Sequence, residues 1–375
     1  MTLHSCPEAQ VLSAQPARNW VRTLAKYREP DLARSIFELT VSALPFLTLA
    51  ALSGILLSVS YWLAFALALL NGGFLVRLFI IQHDYGHGSY FSNRRANNWV
   101  GRIIGVFTLT PYKFWRRTHS IHHSASGNLD QRGIGDVYTM TVLEYQALPK
   151  SKRILYRIYR NPLFLFGLGP VLLFVFHNRL PFGLMKSWEY WASAMGTNIV
   201  ISITLGLVVW FGGLMPLLLI VAPTLFVAAT AGVWLFYGQH QFENTQWEHD
   251  SDWQLHDAAL HGSSYYVLPV VLRWFSGNIG IHHVHHLYSR IPFYRLMEVL
   301  RTHTELATIN RISIRESLNC IHLHLWDENK HRLVSYQHPR TNMAVCLNAQ
   351  LPRSRNSLNF LVEQFYWVVF DQTTG

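Results

Sequence analysis

The chain has 375 residues, half of them hydrophobic and only 14% charged, against about 25% charged residues in an ordinary soluble chain. Its 31 lysines and arginines outnumber 21 acidic residues, for a formal net charge of +10. A basic balance suits either nucleic acid or an anionic membrane surface, and the long apolar runs that accompany it argue for the membrane, with no nucleic-acid partner.

Residues 1–36 read as a polar lead carrying Arg18, Arg22, Lys26, Arg28 and Arg34. They lack an apolar core after a basic start, so no secretory signal is expected. From Phe37 to Ile81 the chain is nearly uncharged until Arg77. A spanning helix needs about 20 apolar residues, so this run predicts two spans joined near Ser58–Tyr61, with Arg77 snorkelling at the end of the second. Between Arg94 and Arg160 lie twelve lysines and arginines and three acids, Asp130, Asp136 and Glu144. Within that loop Trp99–Thr110 is apolar, too short to span, and expected to lie along the interface. Pro162–Phe176 is marginal for a span. Thr197–Tyr237 is long enough for two more, turning at Pro216. Residues 304–375 form a polar tail in which Phe360–Phe370 has the look of a docking helix. The three cysteines, Cys6, Cys320 and Cys346, are scattered, which excludes a disulfide framework or an iron–sulfur cluster.

Three histidine groups organise this layout. His83 and His87 are spaced i, i+4; His119, His122 and His123 are spaced i, i+3, i+4; so are His282, His285 and His286. On a helix these spacings share one face, so each group is expected to present its imidazoles toward one point. Neutral imidazole is the commonest side-chain metal ligand. Eight such rings exceed what one tetrahedral zinc takes, and two metal ions are the economical reading. His283 points about 100° away from its neighbour at 3.6 residues per turn. If the three groups meet on one membrane face, an even number of crossings separates them, which requires that Pro162–Phe176 does not cross. The basic loop places that face in the cytoplasm.

The spacings His83-Asp-Tyr-Gly-His87, His119-Ser-Ile-His122-His123 and His282-His-Val-His285-His286 resemble the three histidine boxes of the membrane fatty acid desaturase superfamily. The resemblance runs from about Phe37 to Pro292, and the stretch Gly-Asn-Ile-Gly-Ile-His-His-Val-His-His-Leu is similar to the acyl-lipid branch. It implies an all-α integral membrane protein with about four transmembrane helices in two hairpins, and a cytoplasmic helical cap holding a histidine-rich di-iron site. The desaturase domain then covers 37–303, in a bacterial inner membrane. It also implies two ferrous ions, O2 as co-substrate, and removal of two hydrogens from adjacent methylenes of a lipid-linked or CoA-linked acyl chain to leave a cis double bond. A further histidine between boxes two and three is expected; His240 is the candidate, with His256 and His261 as rivals.

Asn278, four residues before His282, is a candidate to ligate weakly, to hold a metal-bound water, or to cap a helix. Asp84, Asp130 and Glu243 are candidates to orient imidazole N–H groups. Arg94, Arg95, Lys113, Arg116 and Arg117 suit a lipid head group, a CoA phosphate or an acidic electron donor, and a solvated basic loop explains them equally well. Trp210, Trp234, Phe236 and Trp274 are candidates to line an acyl slot. No nucleotide-binding or haem signature is present, so the two electrons come from a separate protein: ferredoxin, rubredoxin or cytochrome b5 with its reductase. A hydroxylase or ketolase of the same superfamily is the alternative within this chemistry. A histidine-relay transporter is the alternative outside it, and the nearly clean spans speak against that.

Overall fold

The computed structural model describes residues 16–337. Four helices long and apolar enough to cross a membrane dominate it: Leu32–Leu56, Tyr61–His87, Trp188–Gly212 and Leu217–His240. They form the two expected hairpins. Asp31 starts the first by accepting the Arg34 N–H on Oδ1 at 2.9 Å, the usual service of an N-cap carboxylate. The chain turns over 57–60, and Ser60 caps the second. That helix stops at Gly88, whose φ of 68° is a left-handed value glycine adopts without strain. Pro216 precedes the fourth span, as expected.

Length decides where the helix ends stand. The second span has 27 residues, or about 40 Å at 1.5 Å per residue, against a hydrocarbon core of about 30 Å. Its last turns therefore emerge from the apolar layer, and they carry His83 and His87. The fourth span likewise ends on His240. The third begins at Trp188, nine residues before the expected Thr197: apolarity marks only the part in hydrocarbon, and the helix continues into interfacial residues such as Trp191. Its start is tied to the helix Tyr112–Ala125, through Lys113 Nζ to Glu189 Oε2 (2.8 Å) and the Lys113 N–H to Ser193 Oγ (3.1 Å).

The segment after the basic loop folds as Lys150–Tyr159 followed by Phe164–Arg179, bent by 54° at the break. The fourth span must end on the side where the second ends, because His240 lies beside box three. The bent segment therefore returns to the side it left, as the parity argument requires.

Arg77 departs from expectation. It does not snorkel: it is 2% exposed and paired with Glu38 of the first span. A guanidinium that meets a carboxylate inside the helix packing need not reach for water. The second and fourth spans pack closely through small residues: Thr224 Oγ1 donates to Ala68 O at 2.9 Å, and a Cβ on Gly72 would stand 2.6 Å from Val227 Cβ.

Above the spans sits a cap of short helices and small strand pairs. Arg94–Phe107 exposes Trp99, Ile103 and Phe107 and buries Asn97, Gly101 and Ile104, the pattern of a helix lying in an interface. Tyr265–Val267 pairs in parallel with Arg311–Ser313; Met140–Thr141 pairs in parallel with Leu325–Asp327, which pairs antiparallel with Arg332–Val334. Phe360–Phe370 lies outside the described residues. Replacing Gly72 by Val should force the second and fourth spans apart, at about 1–3 kcal/mol, and lower the thermal unfolding midpoint of the detergent-purified protein.

Candidate metal centre

Four elements deliver the histidines. His83 and His87 come from the last turns of the second span, and His240 from the end of the fourth. His119, His122 and His123 sit on Tyr112–Ala125. His282, His285 and His286 sit on the short helix His282–Leu287. Six residues are a weak helix by themselves. This one is pinned at its start: the N–H groups of His282 and His283 both donate to Ser264 O, and Tyr266 N–H donates to Gly280 O at 2.7 Å. A Cβ on Gly280 would lie 2.4 Å from Tyr266 O, so the residue there must be glycine.

The rings form two groups. His83, His87, His119, His123 and His285 make one, and His122, His240, His282 and His286 the other; within each, the ligating nitrogens all lie within 4.8 Å of one another. The groups adjoin, with the His123 and His286 rings stacked at 4.1 Å. Boxes two and three are therefore split between two points, where spacing alone led us to expect one point per box. The i and i+4 rings differ by about 40° in helical phase, whereas i+3 lies about 100° from i+4. The i, i+4 pair of each box thus serves one group and the i+3 ring serves the other.

Within the first group Nε2 atoms face each other in a chain: His83 to His87 at 3.3 Å, His87 to His119 at 3.1 Å, His119 to His123 at 3.1 Å and His123 to His285 at 3.2 Å. In the second, His282 Nε2 lies 3.0 Å from that of His240 and 3.1 Å from that of His286. Metal–nitrogen bonds of about 2.0–2.1 Å put neighbouring ligands about 3.0–3.4 Å apart, so both groups have the spacing of a coordination shell. Burial first, and then the adjacent imidazoles, hold His119, His123, His282, His285 and His286 well below the usual histidine range. These five rings are therefore neutral, the form that ligates.

Two carboxylates fix the tautomer from behind. His122 Nδ1 donates to Asp136 Oδ1 at 2.5 Å, which turns its Nε2 inward, buried and without a protein partner. His83 Nδ1 donates to Asp84 Oδ1 at 3.3 Å, while Asp84 Oδ2 accepts the Phe293 N–H at 2.7 Å. A carboxylate behind a ligating imidazole raises its basicity and sets its orientation. Asp136 was not singled out from the sequence. The available signal was its rarity, as one of three acids in a basic loop and fourteen residues after His122.

Other candidates lie elsewhere. Asp130 holds His249 at 2.9 Å, and Glu243 pairs with Arg332 at 3.0 Å; neither touches a box histidine. Loop geometry puts them on the cap surface, which sequence distance does not register. Asn278 is not one helical turn before His282, because the helix starts at His282. It takes a left-handed φ of 56° and its Nδ2 donates to Phe293 O. His256 and His261 belong to neither group. His283 turns away as its phase predicts: it meets Leu306 O at 2.9 Å, and burial pushes its pKa down to about 4.

Of the four slot candidates only Phe236 touches the centre, at ring distances of 5.1 Å from His122 and 4.8 Å from His240. Trp210 stands at the opposite end of the third span, 83% exposed. Trp234 donates to the Tyr266 hydroxyl, and Trp274 packs over Arg77. The sequence did not indicate the apolar wall that is present: Trp115 stacks on His119 at 4.9 Å, Phe79 meets Trp115 edge to face at 5.6 Å, and Phe174 meets Phe79 edge to face at 6.2 Å. Among the basic candidates Lys113 is paired with Glu189 and Arg116 donates to Asn98, while Arg94, Arg95 and Arg117 are exposed.

A paired imidazole centre at the ends of membrane helices narrows the chemistry, and the relatives decide it. The fatty acid desaturase profile matches residues 60–317. The chain belongs to the fatty acid desaturase family. It is 38% identical to a fatty acid desaturase of Bacillus subtilis over 324 residues, 86% of this chain and 92% of the relative. It is 30% identical to an sn-1 acyl-lipid omega-3 desaturase (ferredoxin) of Synechocystis over 247 residues, 61% of this chain and 64% of the relative. An sn-1 oleoyl-lipid 12-desaturase of Synechocystis is 25% identical over 237 residues, 60% of this chain and 64% of the relative. The protein is thus a fatty acid desaturase, an oxidoreductase of a helical membrane fold.

Removing the carboxylate in Asp136→Ala should weaken metal affinity by about 10–100-fold, read as the metal retained per chain after dialysis against a graded chelator. In metal-stripped desaturase His119, His123, His282, His285 and His286 stay neutral in the folded state, while their unfolded counterparts protonate below about pH 6.5. The unfolded state then binds more protons, so stability falls as pH drops from 7 to 5.5, by up to about 1.4 kcal/mol per pH unit for each such group. Thermal unfolding across that range checks the sign.

Proposed function

We propose that this desaturase inserts a cis double bond into the acyl chain of a membrane lipid, using two iron ions, O2 and two electrons from a separate donor protein. The single observation that carries the reading is the pair of abutting, largely buried imidazole groups with coordination-shell spacing at the ends of the membrane spans. His83, His87, His119, His123 and His285 would hold one ion, and His122, His240, His282 and His286 the other. Such a shell fits ferrous iron, which imidazole nitrogen suits. Iron bound there supplies the O2-activating redox chemistry needed to break unactivated C–H bonds, which no side-chain acid or base achieves.

The chain's own residues supply the rest. Asp136 and Asp84 keep the Nδ1 protons of His122 and His83 on the side away from the ions. Phe236, Trp115, Phe79 and Phe174 form an apolar wall from the imidazoles toward the spans, which excludes water and gives a methylene chain its surface. The exposed Arg94, Arg95 and Arg117 offer an acidic donor a positive face. The relatives named acyl-lipid and ferredoxin desaturases favour a lipid-linked substrate and a ferredoxin-type donor. The basic loop between boxes one and two favours a cytoplasmic site in the cell membrane.

Expression in a host with saturated acyl chains, followed by mass spectrometry of its lipids, tests the assignment. The expected product is lighter by two hydrogens. A product heavier by one oxygen would instead make the protein a hydroxylase. His122→Ala should abolish the product and lower bound iron, and full activity with normal iron would remove His122 from the shell.

A further inference from the structure

A cavity lies between the first and second spans and the short helix Val270–Phe275, lined by none of the nine imidazoles. Its volume of about 170 Å³ is room for about five waters at roughly 30 Å³ each. Three arginines and one acid line it: Arg34, Arg77, Arg273 and Glu38. Both Glu38 oxygens are taken, Oε1 by Arg34 at 2.6 Å and Oε2 by Arg77. Three guanidinium groups against one carboxylate leave a surplus of two positive charges. Arg77 is held rigidly by Ser42 Oγ at 2.9 Å, by Trp274 O and by the Trp274 ring at 4.0 Å. The Arg273 guanidinium makes no hydrogen bond or ion pair with any described residue, and it is half-buried on the cavity's edge.

The surroundings are lipid-facing. Val270 and Val271 expose 69% and 65% of their surface, and Ile36 and Phe37 of the first span are half exposed. A cationic cavity bordered by bare apolar side chains at the end of two spans matches an amphiphile whose anionic head enters the cavity while its tails lie against the apolar rim. The planar guanidinium fork suits phosphate oxygens.

We propose that this cavity binds the phosphodiester head of a membrane phospholipid, with Arg34, Arg77 and Arg273 as its oxyanion contacts. The assignment stands apart from turnover. It also has a route to the metal centre: Phe293, in the cavity wall, donates its N–H to Asp84, which holds His83.

The test uses full-length protein purified in an uncharged detergent, titrated separately with dioleoylphosphatidylglycerol, dioleoylglycerol and inorganic phosphate. A ligand that binds only the folded state raises the thermal unfolding midpoint. Phosphatidylglycerol should raise it, and dioleoylglycerol and phosphate should not. Arg273→Gln should weaken the phosphatidylglycerol response by about tenfold or more, Arg34→Gln should weaken it similarly, and Arg273→Lys should recover part of it. Arg77→Gln is avoided because it would remove the fully buried one of the two partners of Glu38, whereas Arg34 is half exposed. An equal response to phosphate would make this a free-anion site. An equal response to dioleoylglycerol would assign binding to the tails alone. An undiminished response in both glutamine variants would place the lipid elsewhere. Each of these three results overturns the proposal. None of the arms depends on desaturation, so their failure is separate from failure of the proposed reaction.

Discussion

Neutral imidazoles packed nitrogen against nitrogen cannot satisfy one another. A ring nitrogen is either a donor or an acceptor. With Asp136 and Asp84 holding the Nδ1 atoms of His122 and His83, the Nε2 atoms face inward. Burial keeps the neighbouring His119, His123, His282, His285 and His286 from escaping by protonation. Eight rings held at contacts of 3.0–3.3 Å, with the unpartnered Nε2 of His122 beside them, are therefore an unmet demand for positive charge. The two spans that end in histidines, the pinned short helix after Ile281 and the carboxylates behind the rings all maintain that demand.

The membrane supplies the placement. Spans longer than the hydrocarbon layer carry their last turns out of it, and both hairpins return to one side, so residues far apart in the chain arrive at one level. The bent segment 162–179 contributes by not crossing. The cap then closes over the helix ends, with Tyr112–Ala125 and His282–Leu287 supplying the remaining rings. Aromatic side chains line the path from the imidazoles toward the spans, and the charges in the membrane-facing region concentrate around Glu38 and Arg77. The arrangement separates an apolar working surface from a polar anchoring one.

Much of this is readable without coordinates because two of the signals are local. Hydrocarbon thickness imposes a run length that the apolar segments display directly, and i, i+3, i+4 spacing declares a helical face. Hence both hairpins, their turns and all nine rings can be picked out, and the outward turn of His283 follows from phase alone. Helix ends such as Trp188 are less legible, because interfacial residues do not carry the apolar signal.

What the sequence alone determined is the kind of chemistry and that its ligands meet at one level of the membrane spans, since each depends on residue types and on the parity of apolar runs. Only the tertiary structure decided how the rings are shared between two centres, that Asp136 rather than Asp130 or Glu243 stands behind an imidazole, and that Arg77 is paired inside the helices instead of snorkelling. These depend on angles and distances between elements remote in the chain, and no local periodicity encodes them.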